Sequence, residues 1–449
     1  MSAASINGQF SSFITLPAMF NASLQQTATE VDLIVNSGLA KVSGLTGNQQ
    51  AVANALDNAF NSGQGTLAGL TGLSPSQFAA ALSILSGEGL SGTQESALGA
   101  GGLVLDTLQQ QALDGLGGDG GGASASASAQ YSASGSALGY AAEKKKHKDV
   151  PAVLKAMPLK APVFEPRWRA WSAGFGGSWR LNGQGDTGSA DIRHSTGGGM
   201  AGLDHLVAPN VLVGAAVGGS ASNFSVPDRA TSGTLDGVNV GLYGGARQGS
   251  WYATAAVTFA AFDNKTSRTI AGVGPTELAS ARFDSDLWGG RIETGYRFAW
   301  GTAVVTPFAA VQPTELRVAG FTESSTTLTC APGVLGLTAP SHTVDSLPTF
   351  VGVQFDQHLT LANMAWSPYG RVSWVHEFRP TRDITASFVT LPAAGFTVFG
   401  PRAARDAVRI DAGSRLQVSR NVYLFDSFDG EFAQGSQLYS GKGGVTIAW

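Results

Sequence analysis

The chain has 449 residues, enough for more than one domain, and its net charge of −4 offers no attraction to nucleic acid. Only 13% of residues are charged, against roughly a quarter in ordinary domains, while glycine reaches 60 and mean hydropathy is +0.06. A single cysteine, Cys330, excludes an internal disulfide framework and a cysteine-rich metal site, and the lack of any apolar run of about 18 residues excludes a helical membrane span.

The first twenty residues hold no Lys or Arg, and Ser11, Ser12, Thr15 and Pro17 interrupt the apolar stretch Phe10–Phe20. A secretory signal needs a basic start and a continuous apolar core. The expectation is therefore a C-terminal piece of a longer product, with an unusual export signal as the alternative. Phe10, Phe13, Ile14, Val31, Leu33 and Val35 give residues 1–40 a strand-like character. Val52, Leu56 and Phe60 then recur every four residues and predict a short amphipathic helix. A second helix is predicted from Ser74, with Pro75 first and Gln77 completing a capping box; Phe78, Ala81, Leu82 and Leu85 form its apolar face and Gly87 ends it. A third follows Thr93 with Leu98, Leu105 and Leu108, weakened by Gly99, Gly101 and Gly102.

From Gly115 to Ala142 the composition falls to Gly, Ala and Ser, too little apolar surface to fold. Lys144, Lys145, Lys146, His147 and Lys148 could meet acidic lipid headgroups or lipopolysaccharide, although a solvated charge run is the favoured reading. Pro151, Pro158, Pro162 and Pro166 enforce an extended path. The predicted division is 1–40 strand-like, 41–114 helical, 115–167 linker and 168–449 strands.

Beyond Trp168 the period is two. Trp171, Ala173, Phe175 and Trp179 oppose Ser172, Gly174, Gly176 and Arg180; Val238, Val240 and Leu242 alternate with Asn239 and Gly241; Ile292 opposes Arg291 and Glu293; Val408 and Ile410 oppose Arg409 and Asp411. At the end, Tyr439, Val445, Ile447 and Trp449 share a face, with Ser440, Lys442 and Thr446 on the other. Short connections near 208–210, 248–250, 301, 360–363 and 419–421 alternate with longer ones at 182–194, 226–233, 265–279, 322–343 and 380–403. Apolar-out, polar-in strands of about ten residues with alternating short and long connections predict an all-β fold: an antiparallel transmembrane barrel of about twelve strands. The tryptophans at 171, 179, 251, 288, 300, 374 and 449 are expected at strand ends or on the lipid face as interface anchors.

Arg180, Arg291, Glu293, Arg297, Arg371, Arg409, Asp411, Arg415 and Lys442 are expected to line the pore, either hydrating it or pairing with one another to hold its shape. Arg or Lys at the lipid midplane costs roughly 2–4 kcal/mol, which favours the lumen. Asp426, beside Val422, Leu424 and Phe428, is expected near an interface or a bulge. His376 and Glu377 are adjacent, so they face opposite sides and cannot act together. No HExxH, Walker A or G-x-S-x-G pattern is present, and no catalytic residue, metal or cofactor is expected.

From Trp168 to Trp449 the sequence resembles the autotransporter β-domain of type V secretion. Trp171–Gly177, Gly237–Gly245, Arg291–Phe298, Tyr369–Phe378 with WVHEF, Arg405–Gly413 and the ending at Trp449 carry the likeness. Ile6–Phe13 and Ala28–Val35 resemble the last rungs of a passenger β-helix, and Leu85–Glu88 a passenger–barrel junction. The resemblance implies export of the chain's own N-terminal part through an outer-membrane barrel. Periplasmic chaperones and the outer-membrane assembly machinery would be partners, with outer-membrane lipid and lipopolysaccharide around the barrel. It also makes Val445, Ile447 and Trp449 an assembly signal. Family members place a helix in the pore just before the first strand. Here Pro151–Pro166 hold that position, so either an extended segment or the Thr93–Leu113 helix fills the pore. Two further possibilities are a pore-forming or structural barrel with a vestigial or plugging N-terminal segment and, remotely, a soluble enzyme.

Overall fold

The computed structural model describes residues 4–8, 19–65, 69–117 and 167–449. Phe10, Phe13 and Ile14, the Gly/Ala/Ser tract beyond Gly117, Lys144–Lys148 and Pro151–Pro166 lie outside the described residues.

The N-terminal part opens with β1 (Phe20–Gln26) and β2 (Val31–Ser37), which pair antiparallel as a hairpin. Three helices follow: α1 (Gly47–Asn61), α2 (Pro75–Leu85) and α3 (Gly92–Gly115). At α2 the capping box forms, Ser74 N–H donating to Gln77 Oε1 at 3.0 Å and Gln77 N–H to Ser74 Oγ at 3.4 Å. Gly87, at φ +64°, supplies the left-handed residue that ends this segment.

A closed antiparallel barrel of twelve strands occupies the rest. The first six strands are β3 (Trp168–Leu181), β4 (Ile192–Ala208), β5 (Val211–Val226), β6 (Thr231–Gln248), β7 (Trp251–Ile270) and β8 (Glu277–Tyr296), with β9 (Phe298–Trp300) beyond it. The seventh comprises β10 (Ala303–Val311), β11 (Thr314–Val318) and β13 (Ser324–Thr327), with β12 (Phe321–Thr322) turning off it. After β14 (Leu337–Ala339), the eighth comprises β15 (His342–Ser346), β16 (Pro348–Gln357) and β17 (Leu359–Leu361). β18 (Met364–Glu377) is followed by the loop hairpin β19 (Asp383–Phe388) and β20 (Leu391–Phe399); then β21 (Asp406–Gln417), β22 (Val422–Ala433) and β23 (Ser436–Ala448) complete the wall. β23 pairs with β3 from Ser436↔Leu181 to Ala448↔Arg169, so no edge is left open. Trp449 extends the seam: its N–H donates to Trp168 O at 2.9 Å, and its own carbonyl accepts from Trp168 N–H at 3.0 Å.

Val213, Val217, Val238, Val240, Leu242, Ile292 and Ile410 point outward and are 47–66% exposed, an apolar belt around the barrel. One end carries tight turns; the other carries the long connections, except that β5 and β6 are joined there by residues 227–230, β7 and β8 by residues 271–276, and β22 and β23 by Gln434 and Gly435. The first two are shorter than the expected 226–233 and 265–279 because the strands run on. At this loop end β12, β14, β19 and β20 form a separate four-stranded sheet, and α1 and α2 pack into its core. The α1 N-terminus is satisfied by loop carbonyls: Gly47 and Asn48 N–H donate to Asp186 O and Thr187 O at 3.0 and 2.9 Å. The Asn48 amide bonds both backbone groups of Phe399, at 2.7 and 2.8 Å.

Candidate functional site

α3 fills the lumen. Its N-terminal end lies among the long loops, Gln94 Nε2 donating to Asp383 O at 2.8 Å, and its C-terminal end meets Arg169 and Leu212 at the turn end. The chain thus passes through the barrel from the loop end to the turn end. One side of the helix is apolar. Leu103, Val104, Leu105, Leu108 and Ala112, each at most 6% exposed, pack on Trp171, Ala173, Phe175, Met200, Leu212, Ala216 and Tyr243. Glycines that weaken the isolated helix let it approach this wall: a Cβ at Gly99 would lie 2.9 Å from His194 Cε1, and one at Gly101 2.8 Å from Leu287.

The opposite side of α3 is charged. Asp106 receives Arg291 Nη1 at 2.7 Å on one carboxylate oxygen and Arg409 Nη2 at 2.7 Å on the other, so it bridges β8 and β21. Around it, Arg371 binds both oxygens of Glu293 at 3.1 and 2.6 Å, Tyr252 OH donates to Glu293 at 3.0 Å, and Arg409 Nε donates to Asp411 at 2.8 Å. Further along the helix, Glu95 pairs with Arg382 at 3.1 Å and Asp114 with Arg415. The C-terminal carbonyls are met by guanidinium groups: Gln111 O by Arg169 at 2.9 Å, Asp114 O by Arg415 at 3.3 Å, and Gly117 O by Arg247 and Arg297 at 3.4 and 3.3 Å. A helix C-terminus leaves carbonyls unsatisfied and carries negative partial charge, and cations there address both. Between the charged side and the wall lie two adjoining cavities of about 130 and 170 Å³, which share Asp106, Phe350 and Arg409.

Arg291, Glu293, Arg297, Arg371, Arg409, Asp411, Arg415 and Lys442 thus come together around α3; Lys442 Nζ donates to Asp106 O at 3.2 Å. They bond to one another and to the helix, so hydration and shape-holding do not separate into alternatives. Arg180 is a correction. It points outward at the loop end, where it pairs with Asp191 at 3.2 Å. In β3 the aromatic face Trp171, Phe175 and Trp179 turns inward, and Ser172, Gly174 and Arg180 face out: Trp171 is 3% exposed and donates to Tyr243 OH at 2.5 Å, and Trp179 stacks on His194 with ring centroids 4.6 Å apart. Neither tryptophan anchors an interface, whereas Trp251, Trp288, Trp300, Trp374 and Trp449 are 46–88% exposed. The signal for β3 was Arg169, which shares Trp171's face and binds both Asp204 oxygens at 2.7 and 2.9 Å.

Asp426 lies neither on a bulge nor out of register. It sits outward between Leu424 and Phe428, directly opposite Ser414 and Gly443, and accepts from Ser414 Oγ at 2.7 Å. His376 bonds Asp406 at 2.8 Å, while Glu377 lies on the other face and accepts from Ser346 Oγ and Leu347 N–H at 2.5 and 2.8 Å. The acids on α3 and the arginines at 169, 247 and 382 were not singled out from sequence. Glu95, Asp106 and Asp114 are isolated charges on a mostly apolar helix, the pattern that could have marked them.

Residues 170–429 match the family model of the Autotransporter beta-domain. The "Extracellular serine protease" of Serratia marcescens is 23% identical over 211 residues, 47% of this chain but only 20% of that protein's length. Among solved structures, the translocator domain of autotransporter NalP from Neisseria meningitidis is 13% identical, with a TM-score of 0.48 covering 64% of this chain and 90% of that one. The beta domain of the Bordetella autotransporter BrkA is 17% identical, with a TM-score of 0.49 covering 63% and 100%.

Proposed function

The chain belongs to the autotransporter beta-domain family, and from that premise we propose that its barrel, in the bacterial outer membrane, exports the chain's own N-terminal residues and retains α3 in the pore when export ends. The occupied lumen carries this reading. α3 leads from the loop end to the turn end, so the described residues before Gly92 lie on the loop side and Arg167, just before the wall begins, lies at the turn end. In this reading the loop end is the cell surface, where residues 1–40 are displayed as passenger remnant together with the first part of the 41–114 junction, whose last helix, α3, stays in the pore. Residues 115–167 form the linker back to the first strand.

The partners of such a barrel are outer-membrane lipid and lipopolysaccharide around the belt, with periplasmic chaperones and the barrel assembly machinery before insertion. Val445, Ile447 and Trp449 would be the signal that machinery reads. Supporting this, Ile447 and Trp449 are outward and 47% and 46% exposed, on the strand that closes the sheet. Deleting Trp449 is then expected to reduce insertion far more than Trp449→Phe, and equal effects would count against the signal. We also infer that the chain performs no turnover chemistry, since no hydrolase pattern occurs in its sequence.

An epitope tag at Gly8 tests the display. External protease should remove it from intact cells while the barrel band persists, and a tag that stays protected overturns the reading.

A further inference from the structure

We propose that Glu95, Asp106 and Asp114 are positioning residues that stop the exported chain at a single register, by engaging arginines at three levels of the lumen. The inference rests on α3 being the segment that remains in the pore.

At about 1.5 Å rise and 100° per residue, these acids lie roughly 16 and 12 Å apart along the helix and within about 100° of one another around it. They therefore form one stripe. Its partners are Arg382 in the loops, Arg291 and Arg409 at mid-barrel, and Arg415 toward the turn end. All of these arginines are at most 11% exposed as side chains. A slip of one turn, about 5.4 Å, would part every pair at once and leave buried charges unmatched.

The apolar side of the helix cannot define the position equally well. Its contacts repeat every four residues at Ala100, Val104, Leu108 and Ala112. A one-turn slip therefore exchanges one apolar contact for another, and hydrophobic burial has no direction of its own. The glycine contacts at Gly99 and Gly101 meet the ends of side chains, which can swing aside. Barrel strands supply Arg291, Arg409 and Arg415, and the loop before β19 supplies Arg382, so most of the address is written in the wall before the chain arrives. During export, segments with no acids at this spacing would pass; α3 would be held.

Register can be read directly. Gln109 Nε2 lies 2.6 Å from Thr254 Oγ1, so in the full chain bearing Cys330→Ser, Gln109→Cys and Thr254→Cys the two thiols should be joined by a short bifunctional thiol cross-linker such as dibromobimane in outer-membrane vesicles. Leu113→Cys or Leu105→Cys, each with Thr254→Cys, reports a slip of one turn in either direction. With the acids intact, only the 109–254 pair should link. In Glu95→Gln/Asp106→Asn/Asp114→Asn, its yield should fall at least about fivefold and a slipped pair should appear, in barrels that still show heat-modifiable migration. Unchanged 109–254 yield would overturn the proposal. If none of the three pairs links with the acids intact, α3 does not occupy the pore, and the proposed function fails first. Should the triple variant not insert, the single Asp114→Asn chain, which loses only the Arg415 pair, is read by the same criterion.

Discussion

Along β3 to β7 the wall meets α3 with Trp171, Phe175, Met200 and Leu212, whereas from β8 to β23 it meets the same helix with Arg291, Arg409, Arg415 and Lys442. The first side is mainly apolar and closely packed, with Arg169 and Arg247 meeting only the last carbonyls of the helix; the second holds most of the cavity lining and charges bonded to one another. Adhesion and position are therefore supplied by different halves of one barrel. Burial of leucine surface gives strength without direction, while charge pairs give direction only where both partners are fixed.

The largest effect should come from breaking the apolar side. Replacing Leu105 and Leu108 by Ala is expected to cost about 2–5 kcal/mol for each leucine in helix docking, read as a rise in pore conductance while the barrel's own unfolding midpoint holds. Equal loss of barrel stability would mean that helix and wall form one unit. The outer face provides the next contrast. Ile410→Arg should cost about 2–4 kcal/mol in lipid vesicles, because an arginine there would face hydrocarbon instead of the pairs enjoyed by Arg409 one residue away. An unchanged urea midpoint would place Ile410 outside the apolar belt.

Asp426 tests the same contrast from the opposite direction, since it is a carboxylate on the face that should carry none. Asp426→Leu is expected to raise the urea midpoint, corresponding to a gain of less than about 2 kcal/mol in unfolding free energy. A lower midpoint would show that the Ser414 hydroxyl more than offsets the desolvation of the carboxylate.

The smallest effect should be local. Burial pushes the Glu88 carboxyl from 4.5 up to about 7, against the pull of Arg229, which pairs with it at 2.8 Å, and the Ala190 N–H. A raised folded-state value means the fold holds the proton more tightly. The stabilising contribution is therefore complete below about 4.5 and lost as pH rises through about 7. Hydrogen-exchange protection at residues 86–91, taken relative to the intrinsic base-catalysed rate, should fall between pH 5 and 8, and Glu88→Gln should flatten that dependence. A profile unaffected by the substitution would remove Glu88 as its source.

Much of this protein could be read from residue order, because the signals are local. Alternation over two residues is a property of each strand alone, and it marked β3, β6, β8, β21 and β23, just as the Ser74 capping box and the aromatic ending are local signals. Alternation does not say which face is inside. In β3 the aromatic face turned inward because α3 was there to receive it, and Arg180 went outward to the loop end for the same reason. The choice of pore occupant was equally non-local. Both the Thr93–Leu113 helix and the proline segment had the length to span a pore, and nothing within either decided between them.

The sequence by itself determined a transmembrane barrel, its alternating connections and the strand that closes it, since each depends on neighbours in the chain. Only the tertiary structure decided that α3 lies in the lumen, that Asp106 joins Arg291 to Arg409, and that Arg169, Arg247, Arg297 and Arg415 gather at the helix end. Those contacts join residues up to 303 positions apart, and closure of the barrel is what brings them together.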